Sequence, residues 1–389
     1  MADDGFAAPS AEWYGTAPLV ANLPNSSTPL TFFAHGSCAY QTKPQHVWRT
    51  LLSTQPELFL FNGDIVYGDC ANLTSCDALP RAWRDLFANS NFRRAATTLP
   101  MMGMLDDHDY GQNDCDVSNP HKRFAKEIFL ERFGVPRTDV RHRRDGLYTH
   151  RVFGPPGRRV QVVLLDTRWF RSPFVPTDCY RCRLKERYVA YNRTQSARHT
   201  ILGEAQWAWL EHEVFTQPAE LRLLVSTVQV LAVGHGWERW GLIPTEVDRL
   251  VRLISTSGAR GVVLVSGDRH TGGIYRLPRG ESFDGRTRAH GGEPAPYDLI
   301  EVTSSSLTHS FRTTSADEPA SFRVGHLTHM NNFGTVRLDW EARTLTLDLR
   351  QSDDCGLSPQ PWGRVCTGHN GSAGATIMDM TLNLDALAP

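Results

Sequence analysis

The first constraints come from what this sequence does not contain. In 389 residues no apolar run approaches the roughly 20 residues that a helix needs to cross a bilayer, so no membrane span is expected. Charge of one sign is missing too: 41 Lys and Arg stand against 42 Asp and Glu, for a formal net charge of −1, and neither sign forms a block. That balance gives no support to a polybasic membrane anchor or to a stable nucleic-acid partner. There is no internal repeat and no low-complexity tract. Met1-Ala2-Asp3-Asp4-Gly5 lacks the charged and apolar regions of a signal peptide. That fits either a cytosolic protein or a mature secreted chain whose leader has been removed.

What is present favours secretion. The eight cysteines include three pairs at short spacing, Cys70 with Cys76, Cys179 with Cys182 and Cys355 with Cys366, which suits an oxidising compartment. Cys38 and Cys115 are left over, and Cys115 could instead pair with Cys179 or Cys182. Sequons stand at Asn25, Asn72, Asn192 and Asn370. A secreted or extracellular protein is therefore expected. An apolar content of 40% and a charged content of 21% are those of an ordinary globular chain long enough to bury a large core. Nothing in the sequence sets the oligomeric state.

Residues 1–30, rich in Pro, Ala and Ser, read as an N-terminal extension, 31–350 as the main domain and 351–389 as a C-terminal segment packed on it. From Thr31 strands and helices alternate. Thr31–Ala34, Leu58–Phe61, Val160–Leu165, Leu221–Val225 and Val262–Val265 are short continuous apolar runs, the mark of strands buried on both faces of a helix-covered sheet. Helices are expected over His46–Leu52 and Ala78–Phe92. Residues 297–349 look antiparallel and β-rich, and Pro278–Pro296 reads as a surface loop. In such folds ligands gather beyond the strand ends.

The polar clusters lie at those ends. Asp106-Asp107-His108-Asp109-Tyr110-Gly111-Gln112-Asn113-Asp114 crowds four carboxylates, a histidine and the amide of Asn113 into nine residues. Carboxylates repel one another unless a cation absorbs their charge, so this run points to metal or catalysis rather than to a solvated loop. Gly63-Asp64-Ile65-Val66-Tyr67-Gly68-Asp69 places Asp64 and Tyr67 three apart in a turn, where Asp64 would ligate a metal or merely cap the next segment. Asp69 reads as a loop carboxylate that orients its neighbours. Cys38, after Gly36-Ser37, is a buried small residue or a thiolate ligand for iron or zinc. Asp268 and His270 suit strand-end ligation, although His270 would serve equally as a core hydrogen-bonded histidine. Arg168, after Asp166, presents a planar fork to a phosphate or pairs with a carboxylate. Trp207, Trp209, Trp237 and Trp240 read as packing, with Trp237 and Trp240 also candidates for a site mouth.

Read together, these blocks resemble the PhoD-like branch of the calcineurin-like metallophosphoesterase superfamily, which includes alkaline phosphatases and phosphodiesterases. Gly36-Ser37-Cys38, Gly63-Asp64-x-x-Tyr67-x-Asp69, Asp106-Asp107-His108 with Asn113-Asp114, Asp166-Thr167-Arg168 and Gly267-Asp268-Arg269-His270 occur in that branch's order over residues 36 to 270. The resemblance implies an α/β fold, a four-layer αββα sandwich with two mixed β-sheets, carrying Fe3+ and Ca2+. By the same analogy Cys38, Asp64, Tyr67 and His270 would hold the iron, with Asp64 bridging to calcium, and Asp107, Asn113 and Asp268 would hold calcium. Asp107 is chosen over Asp106 because it precedes His108. His108 and Arg168 would be catalytic, His108 at the leaving or attacking oxygen and Arg168 on non-bridging phosphate oxygens.

The expected function is therefore metal-dependent hydrolysis of small phosphate mono- or diesters. A metal-activated hydroxide would attack phosphorus, in the service of phosphate acquisition. An iron-tyrosinate oxidoreductase and a secreted, metal-stabilised binding protein without activity are the alternatives.

Overall fold

The apolar runs become strands that are buried along their whole length. The computed structural model describes residues 21–178, 187–282, 292–311, 322–352 and 372–389. The expected pairs Cys179–Cys182 and Cys355–Cys366, the sequon at Asn370 and most of the N-terminal extension lie outside the described residues. In chain order the elements are β1 (Phe32–Gly36), α1 (Val47–Thr54), β2 (Phe59–Asn62), α2 (Ala78–Ala88), α3 (Ser90–Thr98), β3 (Met101–Met104), α4 (Lys122–Arg132), β4 (Thr149–Phe153), β5 (Val160–Leu164), the short β6 (Val175–Pro176) and β7 (Tyr188–Val189), α5 (Arg193–Ser196), α6 (Gly203–Trp209), β8 (Leu221–Val225), α7 (Pro244–Ser257), β9 (Val262–Ser266), β10 (Gly272–Leu277), β11 (Leu299–Ser304), β12 (Arg323–Thr328), β13 (Asn332–Asp339), β14 (Thr344–Gln351) and β15 (Thr376–Asn383).

Two large mixed sheets result. One is ordered β15-β14-β13-β1-β2-β3, with β1, β2 and β3 parallel and β13 to β15 antiparallel. The other is ordered β12-β10-β11-β9-β8-β5-β4, with β5, β8, β9 and β11 parallel. The mixed α/β architecture is the one expected. The antiparallel reading of residues 297–349 holds for β13 and β14, whereas β11 runs parallel to β9. Helices α1 and α3 cover the first sheet, where Trp48 packs against Phe59, Phe61 and Phe92 with ring centroids 5.4, 5.5 and 5.0 Å away.

The sheets meet through small and polar groups. Asn62 Nδ2, at the end of β2, donates to the Ser266 carbonyl of β9 (3.2 Å), and Ser304 Oγ of β11 donates to Asn332 Oδ1 of β13 (3.0 Å). A Cβ on Gly267 would lie 2.7 Å from the Asn62 carbonyl, so only glycine lets the two backbones come this close. The same junction gathers the carboxyl ends of β1, β2 and β9. The C-terminus ties the sheets together a second time: β15 pairs with β14, and the Leu387 carbonyl accepts from Gly261 N (2.7 Å) just before β9.

The helix expected over Ala78–Phe92 is two helices. Asn89 breaks it with ψ 123°, and its side chain accepts from Asn91 N and Phe92 N to cap α3. Apolar residues keep helical spacing across the break, so periodicity alone does not reveal it. Asn89→Ala is expected to cost about 1 kcal/mol and Asn89→Gly only a few tenths, measured by urea denaturation.

Candidate active site

Each site segment leaves a strand by a sharp backbone turn. Cys38 (φ 65°), Asp64 (φ 49°), Asp268 (φ 70°) and His270 (φ 52°) all lie in the left-handed region. For a non-glycine residue that conformation costs of order 1–3 kcal/mol and persists only where the surroundings impose it. Here cross-strand hydrogen bonds do so: Ala39 N to Asp64 O (2.9 Å), Gly267 N to Thr227 O (2.9 Å) and Ser37 N to Ser304 O (3.1 Å).

The turns bring the Cys38, Asp64 and His270 ligand atoms within 4.8 Å of one another, all buried. Tyr67 joins them. Its hydroxyl donates to Asp64 Oδ2 (3.1 Å) and lies 3.3 Å from His270 Nε2, while Cys38 Sγ lies 3.4 Å from the same Asp64 oxygen. Asp64 Oδ1 is buried and has no hydrogen-bond partner. A second set adjoins. Asp64 groups with Asp107 and His108, Asp107 with Asp106 and Asp268, and Asp107 again with Asp114 and Glu238. Asp64 and Asp107 thus link the sets, and the sulfur, phenol, imidazole and carboxylate donors on one side give way on the other to carboxylates with the imidazole of His108 beside them. The first set suits a transition metal and the second a hard cation.

Two expected residues sit differently. Asn113 is exposed on its turn. Its neighbour Asp114, with φ 56°, turns inward, gives its N–H to Asp107 Oδ2 (2.6 Å) and accepts from Tyr188 Oη (2.6 Å). Arg168, expected on substrate oxygens, is 1% exposed and enclosed by carboxylates. Its Nε donates to Asp106, Nη1 to Glu238 (2.6 Å) and Nη2 to Asp268 (3.3 Å), with Asp107 3.9 Å away. It therefore braces the ligands from behind. Asp106 Oδ1 also accepts from Thr227 Oγ1 (2.6 Å), whereas its Oδ2 is buried without a hydrogen-bond partner. Trp240 is fully buried with its N–H on Ser226 Oγ, so it packs and lines no mouth, and Trp237 is half-buried. Trp207, also buried, donates to Glu246, and Trp209 is buried as well.

Burial and mutual repulsion dominate the electrostatics. Burial, then Asp107, pushes the Asp64 carboxyl well up, and burial followed by Asp64 does the same to the Cys38 thiol and the Tyr67 phenol. Burial and Glu238 raise Asp268. Asp107 goes the other way: burial opposes its ionisation, but Arg168, His108 and two backbone N–H groups outweigh it. Burial would also neutralise His108, yet Asp107 and Asp69 raise it to about 11. Its Nδ1 lies 2.8 Å from Asp69 Oδ2, the orienting role expected of Asp69. Closely placed acids held above their usual range are groups short of positive charge, and cations supply it.

Glu238 and His309 escaped the sequence reading, and Asp114 entered it only as part of the acidic run and the family block. Glu238 and Asp114 belong to the second set, and His309 lies 4.2 Å from the His270 ring and 5.4 Å from that of Tyr67. Glu238 carried a faint signal, as a lone acid in the glycine- and tryptophan-rich stretch; His309 carried none.

A family model for PhoD-like phosphatases matches residues 33–349. The chain belongs to the PhoD-like phosphatase family. That membership supports hydrolysis of phosphate esters as its chemistry. A solved structure of PhoD shares the fold, with a TM-score of 0.69 and 15% identity over 95% of this chain and 72% of that one. So does GAP50, the anchor in the inner membrane complex of Plasmodium, with a TM-score of 0.51 and 12% identity over 92% and 89% of the two chains. No curated protein sequence matches this chain. At these identities the structural likeness speaks for the fold alone. In this PhoD-like chain Arg168→Met would leave Asp106, Glu238 and Asp268 without their shared cation. Urea denaturation of the metal-stripped protein is expected to show a loss of about 3–5 kcal/mol, with Arg168→Lys recovering part of it. A loss below about 1 kcal/mol would contradict the bracing role.

Proposed function

We propose that this chain hydrolyses small phosphate mono- or diesters with iron(III) and calcium held side by side. The observation that carries the reading is the meeting of two donor sets at Asp64 and Asp107, with His108 beside the join. Cys38, Asp64, Tyr67 and His270 would hold the iron, a thiolate, phenolate and imidazole set apt for it. Asp107 and Asp268 would hold calcium, and Asp114 takes the place expected for Asn113. The metals supply charge neutralisation for the phosphoryl group and a water activated at neutral pH.

The residues of the chain do the rest. Asp69 fixes the His108 ring through Nδ1, which leaves Nε2 for the ester. With Nδ1 engaged by Asp69, His108 would offer a proton from Nε2 to the leaving oxygen. The Tyr67 ring lies tilted against that of His108, with centroids 4.3 Å apart, and limits its swing. Arg168 holds Asp106, Glu238 and Asp268 at fixed spacing and so positions the calcium ligands.

Secretion and a role in phosphate acquisition belong to the same proposal. The Cys70–Cys76 disulfide and the exposed sequon residues Asn25, Asn72 and Asn192 support an oxidising, extracellular setting. A metal-stabilised binding protein without activity is the second reading. An iron-tyrosinate oxidoreductase fits less well, because redox chemistry at iron has no use for the carboxylates around Asp107.

Assay of an aryl phosphate and a bis-aryl phosphate, with and without calcium, tests the hydrolase. Turnover that falls on calcium removal is expected, and no turnover of either ester refutes it. His108→Ala should lower turnover by about 100- to 10,000-fold with iron and calcium contents unchanged. A phenolate–iron bond gives visible colour, so Tyr67→Phe is expected to bleach the metal-loaded protein; a surviving band removes Tyr67 from the ligands.

A further inference from the structure

With Arg168 enclosed by carboxylates, the site needs another cation to meet the substrate's phosphate. Arg269 stands between two of the expected ligands, Asp268 and His270, in the turn that leaves β9, with its N–H on the Gly267 carbonyl (2.9 Å). It is only 6% exposed, and its buried Nε has no hydrogen-bond partner. Among the described residues no carboxylate pairs with it. Two other well-buried arginines near the site are matched: Arg168 by Asp106, Glu238 and Asp268, and Arg171 by Glu238 (2.9 Å). A buried guanidinium without a counter-charge is costly, and an anion removes the cost.

Its surroundings are built rather than incidental. The guanidinium lies over the Trp237 ring, 5.5 Å from the centroid. The backbone that carries Trp237 is held in turn, because the Trp237 backbone N–H donates to His235 Nδ1 (3.2 Å) while His235 Nε2 contacts Gln229 Oε1 (3.0 Å). The next residue, Glu238, is clamped by Arg168 and Arg171. The platform under Arg269 and the carboxylate cage are thus one stretch of chain.

We propose that Arg269, held over the Trp237 ring, forks onto two non-bridging oxygens of the phosphate at the metal site. A planar guanidinium matches that geometry, and a lysine ammonium does not. The assignment rests on the hydrolase reading for the identity of the anion, but it can fail separately.

The test is titration of inorganic phosphate into the metal-loaded full-length protein, with iron and calcium measured in the same samples. Arg269→Gln is expected to weaken phosphate binding by roughly 10- to 100-fold with both metals retained, and to raise KM for an aryl phosphate more than it lowers kcat. Arg269→Lys keeps the charge and loses the fork, and is expected to bind phosphate about three- to tenfold more weakly than the unaltered protein. Phosphate affinity unchanged in the Gln variant, or equal in the Lys variant and the unaltered protein, overturns the assignment. Should the unaltered protein bind phosphate through Arg269 but turn over no ester, the hydrolase reading falls and the anion site stands.

Discussion

One guanidinium sets the spacing of four carboxylates. Arg168 reaches Asp106 from the end of β3, Glu238 from the loop before α7 and Asp268 from the end of β9, with Asp107 at the edge of its reach. Alone, these acids would spread apart or take up protons, and burial does raise Asp106, Glu238 and Asp268 above the usual carboxylate range. Even with Arg171 on Glu238, two buried charges cannot neutralise four. Arg168 therefore fixes where the acids stand without satisfying them, and a site assembled this way remains open to further cations.

The backbone supplies the second constraint. Cys38, Asp64, Asp268 and His270 accept left-handed conformations because their neighbours leave no alternative. A Cβ on Gly63 would lie 2.5 Å from Asp106 Cβ, so the turn after β2 must pass glycine-thin beneath the acidic run. Strain at several positions of one cluster is what a preorganised site requires. The side chains are aimed before any ligand arrives, and ordering them costs nothing at the moment of binding.

These two constraints explain what the sequence could and could not disclose. Leu221–Val225 and Val262–Ser266 were legible because a run buried on both faces carries its own signature, and the strand-end clusters then located the site. That Asp64, Tyr67, Asp107, Asp268 and His270 belong to one cluster was legible from their strand-end placement together with the family resemblance. The choice between Asn113 and Asp114 was not. It turns on the sign of a single φ, and both residues tolerate the left-handed region. Nor was the role of Arg168: in sequence it has one nearby acid, Asp166, whereas the partners that enclose it come from positions 62, 70 and 100 residues away. Long-range partners fix what an arginine does, and local pattern is silent about them.

The disulfide shows how a remote feature serves the chemistry. Cys70 and Cys76 close a small loop whose start lies beside the acidic run: Cys70 N donates to the Gly111 carbonyl (2.8 Å) and Gly68 N to that of His108 (3.2 Å). Gly111 sits so close beneath Cys70 that a Cβ there would lie 2.5 Å from its sulfur. Asp69, half-exposed, occupies the middle of this seam and holds His108 Nδ1. An exposed ion pair between two free loops contributes little, because ordering both side chains offsets the attraction. Here the cross-link and the two backbone hydrogen bonds have already ordered them. The His108–Asp69 contact can therefore hold a ring in register at a surface where an isolated pair could not.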